Sequence, residues 1–236
     1  MHPNECLETG VVDFVLRGEG EISLPKLIEN PDKFPRLFWG ETPDLNTLPF
    51  PDRDLWPDYE KRMQFPFFLT KKDPFLPPMV EMLTGRGCPW QCRFCCGPGE
   101  QNLFTIENKG RRIPYTRKRS VENAMEELTQ LYSRYKFKSI VFHDDQFVIN
   151  TRWVEEFCKA MHNYGFVKKD VKWWAASRAD IIVSHSELFT KMKQAGLKML
   201  SIGFESFSDR ILRWINKGTT VKQNWEAVSI LRKLGI

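Results

Sequence analysis

Cys88, Cys92 and Cys95 are the residues of this sequence whose types and spacing carry the strongest chemical signal. They form a C-x3-C-x2-C pattern within residues 84–96, and the aromatic Phe94 stands directly before the third cysteine. Three thiolates at this spacing can bind three irons of a [4Fe–4S] cluster, which leaves the fourth iron without a protein ligand. An iron with an open position can bind a substrate, so the pattern predicts a catalytic cluster rather than a centre that only transfers electrons.

Two other uses of the cysteines are weighed against this one. A structural zinc site takes four ligands, usually from two paired knuckles. No second C-x2-C occurs here, although His143 could supply a fourth ligand from a distance. Disulfides are typical of small secreted domains, whereas this chain has 236 residues and no secretory signal. Cys6 and Cys158 are interpreted as ordinary buried or helical cysteines, and Cys96 adjoins the motif without belonging to it.

The composition is that of a folded chain with one or two domains and enough apolar residues for a core. No apolar run approaches the ~20 residues needed to cross a bilayer. A cytoplasmic, reducing compartment is predicted, which suits cysteines that bind metal. The formal net charge of +5 is spread along the chain, and its densest basic patch covers residues 109–119. Such a patch is usually a solvated loop, and nucleic-acid binding is the alternative.

Strand and helix patterns alternate from Met79 onwards. The apolar runs that predict strands cover residues 80–84, 139–144, 171–177 and 198–204. Helices with one apolar face follow these strands. Their predicted first or capping residues are Ser120, Asn150, Ser186, Ser208 and Thr220. Alternating strands and helices give parallel strands joined by right-handed crossovers, so the predicted fold class is α/β and the architecture a (βα) barrel.

In such barrels the residues at the carboxyl ends of the strands line the mouth of the active site. The rule brings the cysteine loop together with the polar residues Asp144, Asp145, Ser177, Arg178, Glu205 and Ser206. For Asp145 and Ser206 the alternative is the capping of a following helix. His143 alternates with Asp144 along its strand, which predicts that the imidazole points the other way and packs. Trp173 and Trp174 are predicted to fill the barrel and its helical layer.

The first part of the chain has a different organisation. Residues 11–16 predict a short buried strand, two glycines follow in a turn, and Ser23–Glu29 predicts a helix with Ser23 as its cap. One strand and one helix cannot bury a core, so residues 1–30 are interpreted as the last βα unit of a doubly wound domain. Residues 31–78 are rich in proline and aromatic residues and predict a connector with extended segments at 49–57 and 65–68.

The cysteine motif resembles the radical S-adenosylmethionine (SAM) superfamily. Gly203-Phe-Glu-Ser206, followed by Arg210-Ile-Leu and Lys217-Gly218, adds independent support for this resemblance. Residues 12–21 are similar to the end of the cobalamin-binding domain in one large subfamily. The resemblance implies a six-stranded partial TIM-type barrel over residues 79–236, of which about four βα units are present, preceded by a remnant of the cobalamin-binding domain. We expect a chain truncated at both ends.

The resemblance also implies how the cofactors are held. Cys88, Cys92 and Cys95 would bind a [4Fe–4S] cluster whose open iron is chelated by the amino and carboxylate groups of SAM. The reduced cluster then breaks the sulfonium bond and gives a 5′-deoxyadenosyl radical. Asp144 and Asp145 stand where the family carries a turn that receives the SAM amino group.

Four further side chains receive roles from the same resemblance. Glu205, with Ser206 beside it, would hold the ribose hydroxyls of SAM, because a carboxylate accepts two hydrogen bonds from adjacent hydroxyls. Arg178 would pair with the SAM carboxylate, which its planar fork fits. Phe94 would pack beside the adenine.

The function implied is that of a radical SAM enzyme acting on an unknown small molecule or peptide, with an electron donor such as flavodoxin or ferredoxin. Cobalamin is implied by neighbourhood alone, since no Asp-x-His-x-x-Gly loop occurs in the chain. If cobalamin is bound, methyl transfer is expected. The alternatives are ring closure, rearrangement or thiolation by the same motifs, and a zinc- or cluster-bearing nucleic-acid-binding module that uses residues 109–119.

Overall fold

The computed structural model describes residues 3–64, 77–111 and 113–236. Its strands are β1 (Val15–Arg17), β2 (Leu37–Trp39), β3 (Met79–Met82), β4 (Gly85–Arg86), β5 (Arg117–Lys118), β6 (Ser139–Phe142), β7 (Lys172–Ser177) and β8 (Leu197–Ile202). Its α-helices are α1 (Pro3–Glu8), α2 (Ser23–Glu29), α3 (Tyr59–Arg62), α4 (Gly97–Glu107), α5 (Val121–Tyr135), α6 (Thr151–Asn163), α7 (Ala179–Ser184), α8 (Ser186–Gln194), α9 (Asp209–Trp214) and α10 (Val221–Leu234). Short 3₁₀ turns cover Pro31–Lys33, Arg53–Leu55 and Phe147–Ile149. Within these described residues, no helix combines the length and the apolar character needed to cross a membrane.

Strands β3, β6, β7 and β8 form a four-stranded parallel sheet in that order. Val80 lies opposite Ile140, and Ile140 lies opposite Trp173. Each strand is joined to the next through helices, as the alternating pattern predicts. The predicted α/β class and the open, partial barrel are therefore confirmed, with strand bounds that differ by one or two residues from those expected.

The two faces of this sheet are covered unequally because successive side chains point to opposite sides. Val80, Ile140 and Trp173 belong to the large core beneath the helices. On the other face, Val141 and Trp174 belong to a much smaller apolar cluster. The prediction that the tryptophan pair divides between the two layers is confirmed. The second face is the concave side of the partial barrel and is left thinly covered.

Several helices begin where capping residues were expected. The Ser120 hydroxyl accepts a hydrogen bond from the Asn123 N–H, and the Asn150 side chain does the same for Trp153. Thr220 forms a reciprocal capping box with Gln223. Such caps satisfy backbone N–H groups that have no partner in the first helical turn.

The three remaining serine predictions have different outcomes. Ser23 lies inside α2 rather than capping it, and its hydroxyl accepts from the Glu41 N–H at 2.8 Å. Ser186 is the first residue of α8, as predicted. Ser208 precedes α9 but makes no side-chain capping bond. Sequence alone identifies a cap by residue type, whereas a competing tertiary contact decides its use.

The N-terminal part contains a parallel pair, β1 and β2, with Leu16 opposite Phe38 and α2 between them in the chain. The predicted strand at 11–16 is displaced towards β1, because Val11 is exposed. Strand β2 was not predicted, because its segment of the sequence shows little periodicity. The segment predicted as extended at 65–68 lies outside the described residues.

A short hairpin that the sequence did not predict pairs β4 with β5 in antiparallel register, and α4 follows the cysteines. The basic patch at 109–119 was expected to be a solvated loop, and that expectation is wrong for its last residues. The side chains of Arg117, Lys118 and Arg119 are only 11%, 8% and 11% exposed, because each pairs with an acidic residue. Arg112 lies outside the described residues.

The connector is tied to the barrel by a buried carboxylate. Glu127 on α5 has a side chain only 2% exposed and lies 2.7 Å from Arg53 Nη2. Arg119 Nη1 pairs with the other oxygen of the same carboxylate. Arg53 also donates to the Glu81 carbonyl at 3.2 Å. The turn at Arg53–Leu55 is therefore held against both α5 and β3.

We expect Glu127→Gln to lower the free energy of unfolding by about 3 kcal/mol, because it leaves two arginines facing a site without charge. The exposed Glu126→Gln on the same helix is the matched control and should change the stability by no more than about 0.5 kcal/mol. Urea unfolding followed by circular dichroism measures both. Equal stability of the two variants would contradict this account of the connector.

Candidate active site

The cysteine loop lies between β4 and α4, at the carboxyl ends of the parallel strands. Cys92 is buried, Cys88 is partly buried and Cys95 is exposed, and all three are free thiols. Burial raises the pKa of Cys88, and a hydrogen bond from the Trp90 backbone opposes this shift. Cys96 is also exposed, and its hydrogen bond with Glu100 raises the pKa of its thiol.

One side of the loop is fastened to the end of α9. The Arg93 N–H donates to the Ile215 carbonyl at 2.9 Å, and its guanidinium donates to the Trp214 carbonyl at 3.0 Å. Asn216 Nδ2 donates to the Gln91 carbonyl at 2.8 Å. These bonds join parts of the chain more than a hundred residues apart, so the loop conformation depends on the whole sheet.

The other side of the loop is held by Asp144, whose side chain is only 2% exposed. Its Oδ2 accepts from the Thr84 N–H at 3.0 Å. Its Oδ1 accepts from the Thr84 hydroxyl and from Lys118 Nζ, each at 2.7 Å. The Lys118 ammonium lies 4.6 Å from the ring centroids of both Phe147 and Trp153. Desolvation there lowers the pKa of Lys118, and the nearby Asp144 carboxylate opposes the shift.

This network gives Asp144 a role in holding the loop. A predicted contact with the SAM amino group would compete with bonds that both oxygens already make. The approach of the hairpin explains Gly85, because a Cβ atom there would lie 2.5 Å from the Arg117 carbonyl oxygen and 3.3 Å from Asp144 Oδ1.

Asp145 is the more accessible of the two adjacent acids. Its Oδ2 accepts from the Gly87 N–H at 3.2 Å, one residue before the first cysteine of the motif. Loss of hydration raises the pKa of Asp145, and the charges of Glu100 and Asp144 add to the shift. The carboxylate thus contacts the cysteine loop instead of capping a helix.

Arg178 is buried against the loop. Its guanidinium forms a two-point pair with Asp180, with distances of 2.9 and 3.2 Å. It lies 4.4 Å from the centroid of the Trp90 ring. Its Nη1 is 3.9 Å from Cys92 Sγ, a distance at which a guanidinium attracts negative charge on sulfur. The neighbouring Ser177 is buried, and its hydroxyl has no partner among the described residues.

Glu205 has a strained backbone, with φ of 58° in the left-handed region, which costs a non-glycine residue about 1 kcal/mol. Its Oε1 lies 3.0 Å from Lys217 Nζ. Gly203 makes room for this pair, because a Cβ atom at that position would lie 2.5 Å from Glu205 Oε1 and 2.8 Å from Lys217 Nζ. Strain at a residue with a defined ion pair is typical of functional sites.

Lys217 is the site residue that the sequence analysis missed. Its side chain is only 7% exposed, and its Nζ lies 5.7 Å from the centroid of the Phe94 ring, which is itself exposed. Its carbonyl accepts from Arg178 Nη2 at 2.5 Å. In the sequence the Lys217-Gly218 pair serves only as support for the family resemblance. The contacts of Lys217 with Phe94 and Glu205 come from distant parts of the chain, so no local sequence pattern marks it.

Ser206 makes a hydrogen bond within its loop and does not cap a helix. Its hydroxyl accepts from the Ser208 N–H at 3.1 Å, and its carbonyl accepts from Asn224 Nδ2 at 2.9 Å. The side chain therefore shapes the turn after β8.

His143 does point opposite to Asp144, as predicted. However, His143 was expected to pack and Asp144 to face the open site, and the structure shows the reverse. The acid is the buried one, whereas the His143 side chain is 38% exposed on the concave face. Its Nε2 lies 3.4 Å from Glu81 Oε2, and its ring contacts Trp174. Alternation along a strand fixes the relative directions of neighbours without telling which side is covered.

The cysteine loop fits a cluster through the chemistry of its donors. It offers three free cysteines of suitable spacing beside a buried guanidinium. The described side chains do not already form a group of three or more potential ligands at metal-binding distances. His143 contacts Glu81 on the concave face, and among the described residues it forms no group of ligands with the cysteines.

Comparison with known proteins decides the family. The model of the radical SAM superfamily matches residues 82–236. This range includes the cysteine loop and the polar residues predicted after the other three strands. The chain belongs to the radical SAM superfamily. Members of this family use a [4Fe–4S] cluster and SAM, and the predicted recognition, fold class and cofactors are confirmed at that level.

Two relatives of the radical SAM chain align with nearly all of it. An uncharacterised methyltransferase of Pyrococcus horikoshii is 29% identical, over 97% of this chain and 48% of the relative. The hopanoid C-3 methylase of Methylococcus capsulatus is 30% identical, over 96% of this chain and 41% of the relative. The chain thus spans less than half the length of either relative.

A solved structure supports the fold alone. A cobalamin-dependent S-adenosylmethionine radical enzyme, determined with aqua-cobalamin and SAM bound, is similar with a TM-score of 0.52 and 23% identity. The similarity covers 66% of this chain and 22% of that enzyme.

The geometry predicts different costs for the two adjacent acids. Asp144→Asn should lower the free energy of unfolding by about 3 kcal/mol, because it leaves the buried Lys118 without its counter-charge. Asp145→Asn should lower it by less than about 1 kcal/mol, since that side chain is accessible to water. Chemical denaturation of both variants measures the difference. A larger loss for Asp145→Asn would contradict the assignment of Asp144 as the residue that holds the loop.

Proposed function

We propose that this chain carries the catalytic part of a radical SAM enzyme, with Cys88, Cys92 and Cys95 as the ligands of its [4Fe–4S] cluster. The observation that carries the proposal is a three-cysteine loop fastened from both sides at the mouth of the parallel sheet. When bound, the reduced cluster supplies one electron to the sulfonium bond of SAM, which splits into methionine and the 5′-deoxyadenosyl radical. A flavodoxin or ferredoxin is the electron donor we propose.

The protein's own residues position the reactants. Arg178 lies beside Cys92 and places a fixed positive charge next to a cluster ligand. Charge close to the sulfurs is one of the factors that set the potential of such a cluster. The paired Asp180 keeps the guanidinium in this orientation. If Arg178 also pairs with the SAM carboxylate, as predicted, that carboxylate has to share the guanidinium with Asp180 and the Lys217 carbonyl.

For SAM itself we propose a site between the cysteine loop and the turn after β8. Phe94 would cover the adenine, Glu205 would hold the ribose hydroxyls and Asp145 would receive the amino group. Lys217, which lies between Phe94 and Glu205, supplies the cation for the SAM carboxylate. Glu205 already holds the Lys217 Nζ in place, so little side-chain conformational freedom is lost when SAM binds. Asp144 holds the loop from beneath.

The reaction we propose for the whole protein is cobalamin-dependent methyl transfer. Both relatives carry names of methyl-transferring enzymes, and the similar structure is described as cobalamin-dependent. Residues 1–30 are proposed as the end of a cobalamin-binding domain, residues 31–78 as a connector and residues 79–236 as the radical SAM barrel. Free thiols at the loop suit a reducing compartment, and we propose the cytoplasm.

The test is electron paramagnetic resonance of the anaerobically reconstituted, dithionite-reduced chain, with and without SAM. We expect a [4Fe–4S] signal that changes when SAM is added, because SAM occupies the open iron. Cys92→Ala should lose most of the signal, since it removes one of three ligands. Cys96→Ala is the matched control, one residue outside the motif, and should keep both the signal and its response.

A cluster signal that ignores SAM would contradict the proposed function, as would equal signals from Cys92→Ala and the wild-type chain. Retention of zinc in place of iron, with salt-dependent binding of nucleic acid, would instead favour a binding module.

Lys217→Met should weaken the binding of SAM to the cluster-loaded chain by about tenfold or more, because a charged hydrogen bond contributes about 1.5–3 kcal/mol. Lys222→Met, an exposed lysine on α10, is the control and should bind SAM as the wild type does. Anaerobic equilibrium dialysis measures the dissociation constant independently of turnover. Unchanged affinity in Lys217→Met, at equal iron content, would show that Lys217 has no part in SAM binding.

A further inference from the structure

A cavity of about 610 Å³ lies between the connector and the concave face of β3, next to the cysteine loop but distinct from it. Its walls come from the connector residues 45–59, from Glu81 and Leu83 at the end of β3, and from His143 after β6. Binding sites for small organic molecules typically measure about 300–1,000 Å³. The volume is therefore suited to a molecule larger than an amino acid.

Much of the wall is apolar. Leu45 is buried, and Leu48 and Phe50 beside it line the same cavity. Leu83 and Trp56 also line it and are 49% and 53% exposed, although side chains of this type usually pack. Covering them with an apolar molecule would remove this surface from water, which is favourable by about 25 cal/mol per Å².

The three arginines in the wall already have acidic partners. Arg53 and Arg119 pair with Glu127, and Arg86 pairs with Glu21. An anionic ligand would have to compete with these pairs and gain little from them. The cavity therefore disfavours an anion, and its largely apolar wall favours a molecule without charge.

Glu81 and His143 offer a place for one hydrogen-bonding group. Glu81 and His143 lie 3.4 Å apart, with side chains 52% and 38% exposed on the concave face. Both residues line the cavity. A hydroxyl or carbonyl group on an otherwise apolar molecule would find a donor or an acceptor here.

The rim of the cavity adjoins the predicted reaction centre. Leu83 and His143 follow directly after the carboxyl ends of β3 and β6. Gly85 and Arg86 line the cavity too, and they form the strand that leads into Cys88. An occupant would thus lie at the strand ends, beside the loop proposed to hold the cluster.

We propose that this cavity is the substrate site and that the substrate is a neutral, largely apolar small molecule with a single hydrogen-bonding group directed at Glu81 and His143. That the occupant is the substrate rests on the proposed function. It makes the connector one wall of the substrate site, rather than a passive link between two domains.

The test compares two probes that share one aromatic scaffold, phenylnaphthylamine and its sulfonated form, anilinonaphthalene sulfonate. Equilibrium dialysis against the anaerobic, cluster-loaded chain should show one saturable site for the neutral probe. The sulfonated probe should bind at least about tenfold more weakly, because its negative charge finds no unpaired cation in the wall. Leu83→Trp and Leu48→Trp fill the cavity from opposite walls, and each should weaken the neutral probe by about tenfold. Leu55→Trp, an exposed position outside the cavity, is the control and should leave the affinity unchanged.

Equal binding of the two probes, or equal affinity in the cavity-filling variants and in Leu55→Trp, would overturn the proposal. Displacement of the neutral probe by cobalamin would overturn it as well, since the cavity would then be a corrin site. The electron paramagnetic resonance experiment separates this result from the proposed function. A wild-type chain whose cluster ignores SAM, but which binds the neutral probe in the cavity, would contradict only the proposed function.

Discussion

A buried ion pair between Asp144 and Lys118 is the interaction on which the candidate site depends. Removing two charges from water costs several kcal/mol per ion, so such a pair forms only where further hydrogen bonds and a fixed geometry repay the cost. Here the Thr84 backbone and hydroxyl supply those bonds, and two aromatic rings enclose the ammonium. The pair joins β6 to the hairpin that introduces the cysteine loop. The loop is thereby fixed to the sheet before any cofactor arrives.

The second attachment of the loop comes from the far end of the chain. The backbone around Trp214 and Ile215 and the side chain of Asn216 bind the loop, and Arg178 connects it to the Lys217 carbonyl. The mouth is consequently built by residues that follow all four strands of the sheet. A change in either attachment should be felt at the cysteines, although the two lie on opposite sides of the loop.

The sequence was sufficient for those features that local pattern determines. Strand and helix alternation predicted the parallel sheet, and Ser120, Asn150 and Thr220 predicted helix starts, because caps are local interactions. The hairpin of β4 and β5 was not predictable in this way. Each of its strands has two residues, and the pairing joins positions about thirty residues apart.

The site residues divide along the same line. Type and spacing identified the three cysteines, and the position after a strand identified Asp144, Arg178 and Glu205. Their partners depend on tertiary structure. That Asp144 faces a buried lysine, and that Glu205 faces Lys217, follows from contacts with distant segments. The predicted roles of these residues towards SAM stay predictions.

The central claim is that the cysteine loop of this chain supports the reductive cleavage of SAM. The most direct measurement is anaerobic incubation of the cluster-loaded chain with dithionite and SAM, with the products quantified by mass spectrometry. The account predicts 5′-deoxyadenosine and methionine in equal amounts, formed by the wild type and by Cys96→Ala but not by Cys92→Ala. Intact SAM in the presence of a full complement of cluster, or equal cleavage by Cys92→Ala, would contradict it.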